Sequence, residues 1–84
     1  MDKEILNIAD YSFKIEEFSG YLRRVLLDGL EEINKLKEEK TTDHLLNLRK
    51  YCLLRESKIL LLAIERTTRK INTILGAINE NLSG

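Results

Sequence analysis

His44 and Cys52 are the only residues of this chain that could serve as soft metal ligands, or pair as a base and a nucleophile. Neither role is met. A structural zinc site normally takes four such ligands. A thiol nucleophile needs a base within hydrogen-bond reach and a third group to orient that base. On a helix His44 lies two turns from Cys52, and no orienting group is evident beside it. The carboxylates invite a second chemistry, because helical di-metal sites use Glu-x-x-His on facing helices. Thr41, however, stands where that motif needs a glutamate before His44. Asp43-His44 reads instead as the start of a helix, with a solvated imidazole. No catalytic, metal-binding or cofactor-binding residue is assigned, and the chain is expected not to be an enzyme.

The remaining chemistry is cationic. Arg55, Lys58, Arg66, Arg69 and Lys70 give the second half a basic character, and Arg23-Arg24 add a pair in the first half. Arg23, Arg24, Arg55, Lys58, Arg66 and Arg69 are the candidate nucleic-acid contacts. Aromatic residues interleaved with these cations, on which single-stranded bases would stack, are missing. The bland reading is charge matching inside the fold, with Asp10, Glu16 and Glu17 opposite Arg66, Arg69 and Lys70. Arg55, Lys58, Glu65 and Arg66 could also line a polar pocket of a small all-helical enzyme. Their spacing is not specific to that task.

The elements that position these residues are helical. The chain has 84 residues and no proline, which removes the strongest helix breaker. Ile8, Tyr11, Ile15, Phe18, Leu22 and Val25 recur at 3-4-3-4-3 spacing, a stripe on one helix face. After Val25 the stripe is expected to drift to Leu26, Leu30, Ile33 and Leu36. Gly20 and Gly29 are the two places where this helix could kink or break. The polar stretch Glu38-Glu39-Lys40-Thr41-Thr42-Asp43 interrupts the pattern, with Thr42 placed to cap a second helix. Leu46, Leu53, Leu60, Ile64, Ile71, Ile74 and Ile78 form the next stripe. The expected fold is all-α: one domain over 1–84, helix 1 about 2–40, a turn about 40–43 and helix 2 about 43–81. A short turn makes the helices antiparallel. Folding about Thr41-Thr42 then sets residue i near residue 83 − i.

Helix 2 carries more apolar surface than one neighbour can cover. Ile59-Leu60-Leu61-Leu62-Ala63-Ile64 spans the whole circumference, since each residue turns about 100°. The first helix accounts for Leu60 and Ile64. Leu48, Cys52, Ile59 and Leu62 lie on another face and Leu54 and Leu61 on a third, and these six are the expected interface. Small domains bury only roughly 60% of their unfolded surface, and many rely on disulfides, metals or oligomerisation. With one cysteine and no metal-site pattern, oligomerisation remains.

Composition agrees with a soluble domain: 33% charged, 43% hydrophobic, with 14 acids against 14 bases. That balance gives no general attraction to nucleic acid or anionic lipid. The longest apolar run is well short of the ~20 residues that cross a bilayer. With an unpaired cysteine and no export signal, a cytoplasmic location is expected. The function expected is that of a non-enzymatic helical interaction module, a small scaffold, adaptor or regulator. Its expected partners are a second copy, as a dimeric four-helix bundle, or another helical protein. The alternative is a small dimeric nucleic-acid-binding regulator.

Overall fold

A computed structural model describes residues 1–83, so the last residue of the expected domain lies outside it. Two helices, α1 (Asp2–Glu38) and α2 (Asp43–Ser83), form an antiparallel hairpin. α1 runs without a break through Gly20 and Gly29. The turn is built from backbone chemistry. Lys40 adopts a left-handed conformation, φ 53°. Its N–H donates to the Lys37 carbonyl and the Thr41 N–H to the Leu36 carbonyl, at 3.2 and 3.1 Å. This is the paired closure that satisfies the last carbonyls of a helix, with a lysine where glycine is usual. Thr42 opens α2: its carbonyl accepts the Leu46 N–H at 3.1 Å, and its Oγ1 accepts the Leu45 N–H in a long bond of 3.5 Å.

The helices meet along one seam. On α1 it follows Ile8, Tyr11, Ile15, Phe18, Leu22, Val25, Gly29, Ile33 and Leu36. Its path differs from the expected drift. Leu26 and Leu30 are exposed, and buried Gly29 occupies the place between Val25 and Ile33. The reason is contact distance. A Cβ at residue 29 would overlap the side chain of Leu53 and force it to shift, so the glycine leaves the space that this leucine fills. On α2 the seam follows Leu46, Arg49, Leu53, Ser57, Leu60, Ile64, Thr67, Ile71, Ile74 and Ile78, all buried or half-buried. Ser57 and Thr67 satisfy their hydroxyls within the helix, donating to the carbonyls of Leu53 and Ala63 at 2.8 Å. Gly29 meets Leu53, Glu32 meets Arg49 and Tyr11 meets Lys70, which sets residue i opposite about residue 82 − i.

The seam is narrow for so long a molecule. The hairpin measures 65 × 16 × 13 Å, and its radius of gyration is 19.1 Å. A compact domain of this length would have a radius of roughly 12 Å. Its accessible surface is 6836 Å². A compact monomer of 9.8 kDa would expose roughly 5,200 Å². Ile33, at 6% exposure, is the buried hydrophobic residue of the core, and no described side chain falls below 2%.

Candidate interaction surface

Helix geometry divides the residues outside the seam into three sets. A residue just before a seam position points to one side of the hairpin, one just after it points to the other, and the rest point outward. In an antiparallel pair the two "before" sides coincide. The structure bears this out: Lys14 precedes Ile15 and Lys70 precedes Ile71, and both ammonium groups lie 5.6 Å from the Tyr11 ring centre.

The first side carries Leu45, Leu48, Cys52, Ile59 and Ala63 of α2. Its α1 half is highly charged: of the nine "before" positions, Asp10, Lys14, Glu17, Arg24, Asp28, Glu32 and Lys35 are charged, with Asn7 and Tyr21 the other two. The cross-helix ion pair of Glu32 with Arg49, at 2.7 Å, lies here. The Glu32 carboxylate holds the Arg49 guanidinium pKa above its ordinary value, against a smaller opposing effect of burial. Arg49 Nε is buried without a hydrogen-bond partner among the described residues. Cys52, one of the expected interface residues, is half-buried with a free thiol.

The second side carries fewer charges than the first; on α2 they are Lys50, Lys58 and Glu65. Leu26 and Leu30 follow Val25 and Gly29; Leu54, Leu61 and Leu75 follow Leu53, Leu60 and Ile74. All five are exposed, Leu54 at 70%. Three charged residues, Glu16, Arg23 and Lys37, stand among the nine "after" positions of α1 from Ala9 to Lys37.

The outward face of α2 holds Arg55 and Arg69, with Lys58 at its margin toward the second side and Arg66 at its margin toward the first. Arg55, Lys58, Leu62, Arg66 and Arg69 lie on one line at 3-4-4-3 spacing, all exposed. Tyr51 continues the line and forms a shallow open depression with Leu54, Arg55 and Lys58. The sequence reading found no aromatic interleaved with these cations, whereas Tyr51, four residues before Arg55, stands beside them. Arg69 bonds to Glu65 of its own helix, and Lys70 lies against Tyr11. The expected partners Asp10, Glu16 and Glu17 therefore do not serve them, because intrahelical and aromatic contacts are nearer. Arg23 and Arg24 stand on α1, away from this line, so four of the six candidate contacts share a surface.

Of the six expected interface residues, Leu48, Leu54, Ile59, Leu61 and Leu62 are exposed and Cys52 is half-buried. They do not form one patch. Leu48, Cys52 and Ile59 belong to the first side, Leu54 and Leu61 to the second, and Leu62 to the outward face.

Among the described residues no three His, Cys, Asp or Glu side chains gather in a way that could hold a metal ion. No described helix is long and apolar enough to cross a membrane. The two depressions found each lie on a single helix, one on α1 around Leu27, Leu30 and Glu31, the other at Tyr51 on α2. No family model matches the chain, and neither a curated protein nor a solved structure is significantly similar to it.

Proposed function

We propose that this chain is a non-enzymatic helical interaction module that works by self-association, as a dimer forming a four-helix bundle. One observation carries the reading. Ile33 is the buried hydrophobic of the core, while seventeen large hydrophobic side chains are exposed among the described residues. Monomers rarely leave contiguous apolar patches of more than a few hundred Å² open to water. The surplus surface over a compact monomer, roughly 1,700 Å², exceeds the roughly 800 Å² that each partner buries in a standard interface. A scaffold or regulator of this kind would operate in the cytoplasm, the compartment that suits the free thiol of Cys52. Sedimentation equilibrium tests the reading. A mass near twice 9.8 kDa is expected, and Leu61→Glu should shift it toward monomer or unfolded chain. A monomeric wild type at high concentration would sink the reading.

A second reading rests on the line of Arg55, Lys58, Arg66 and Arg69 beside exposed Tyr51. Such a stripe would bind nucleic acid through phosphate contacts, with Tyr51 as one stacking platform. The Glu65 partner of Arg69 and the zero net charge weigh against it. A gel shift with mixed RNA and DNA tests it; absence of binding at low salt removes it.

A further inference from the structure

The two sides of the hairpin are unequal, and the inequality selects one for the second copy. Covering the first side would desolvate the charged row of α1, including the Glu32–Arg49 pair. Covering the second side buries Leu26, Leu30, Leu54 and Leu61 and meets six charged positions, against ten on the first side. A face 65 Å long and 16 Å wide offers roughly 1,000 Å² to a partner, enough for a standard interface.

Charge then sets the orientation. α1 carries nine acidic and six basic residues, α2 four and seven, so the helices bear net charges of −3 and +3. If the dyad ran across the helices, each α1 would lie on its own copy, acid on acid. With the apolar clusters stacked, the far ends would also overhang. A dyad parallel to the helices puts every α1 against the partner's α2, alternating charge around the bundle. It also preserves height. Leu54 stands opposite residue 28 in the hairpin register, midway between Leu26 and Leu30, so each Leu54 enters the gap between those two leucines of the other copy.

We infer that the protein dimerises through its Leu26–Leu30–Leu54–Leu61 side, about a dyad parallel to the helices, with both turns at the same end and α1 packed on α2 of the second copy. This rests on the self-association proposed above and adds the face and the orientation.

Asn34 and Asn47 test both additions. They are exposed, lie on the second side, and stand at the same height on α1 and α2. In this dimer Asn34 of one copy comes beside Asn47 of the other at the rim. In a Cys52→Ala background, N34C protein is mixed with N47C protein under mild oxidation. The expected product is the mixed disulfide dimer, at least tenfold above the N34C homodimer. Lys35→Cys, at the same height on the first side, should give no mixed product with N47C. Sedimentation of the reduced proteins runs in parallel. Monomers there would overturn the self-association itself. Dimers that fail to form the mixed disulfide, that favour the N34C homodimer, or that cross-link through K35C would overturn the face and orientation and leave self-association standing.

Discussion

Gly29 lies directly beneath the side chain of Leu53, close enough that a methyl group at residue 29 would overlap it. Gly20, nine residues earlier on the same helix, has nothing within 4 Å of the equivalent point. The same substitution should therefore act with opposite sign at the two sites. Gly20→Ala should stabilise by about 1 kcal/mol through helix propensity. Gly29→Ala gains that propensity but overpacks the seam, at a cost of about 1–3 kcal/mol. Thermal unfolding monitored by circular dichroism compares them. If both variants melt above the wild type, the close approach at Gly29 is not a constraint.

Lys40 holds a left-handed backbone at φ 53°, which costs a side-chain-bearing residue about 1–2 kcal/mol relative to glycine. Lys40→Gly should raise stability by about 1 kcal/mol. Lys40→Ala, which keeps the Cβ, should not. Chemical denaturation of the three proteins separates the backbone effect from loss of the lysine charge.

Glu32 and Arg49 form an exposed-to-half-buried pair at 2.7 Å, and the Arg49 Nε is left without a partner. Exposed pairs contribute about 0–1 kcal/mol. Glu32→Ala should lower stability slightly and leave Arg49 unmatched in the seam. Arg49→Leu should hold or raise it, because a leucine completes the apolar row between Leu46 and Leu53. The pH dependence follows from the direction of the shift. Folding raises the Arg49 pKa, so its contribution is complete below the ordinary guanidinium range and is lost only above it. Urea midpoints of the wild type and of Arg49→Leu should therefore keep a constant difference between about pH 6 and 9, a span far below the guanidinium pKa. A difference that changes across that span would place the titration elsewhere.

Self-association couples stability to concentration. The melting temperature should rise steadily as protein is raised from about 1 to 100 µM, because dimerisation stabilises the folded state by mass action. Leu61→Glu should flatten that dependence. A melting temperature indifferent to concentration in the wild type would contradict a dimer in this range.

The sequence made the helices and the turn legible because both rest on local signals: the 3-4 spacing from Ile8 to Val25, the absence of proline, and Thr42 before Asp43. The register came within one residue for the same reason, since a short turn leaves little freedom. The path of the seam beyond Val25 was not legible. Counting apolar residues steers the stripe to Leu26 and Leu30, whereas contact distance gives the position to Gly29, which has no side chain to count. Arg49, Ser57 and Thr67 escaped for a related cause, because each is polar yet fits a seam whose bulk comes from the other helix. The candidate surface was half legible. Five of its six residues are exposed and Cys52 is half-buried, and their division among two sides and the outward face depends on a handedness that spacing along one helix does not reveal.

The 82 − i pairing has a kinetic consequence. Once the turn at Lys40 closes, each further pair adds only a few residues to the loop already closed, so the hairpin can form as a zipper moving outward from one end. Fraying runs the same path in reverse. Ile8 with Ile74 should open far more often than Leu36 with Leu46, and amide exchange along each helix should read as a ruler of distance from the turn.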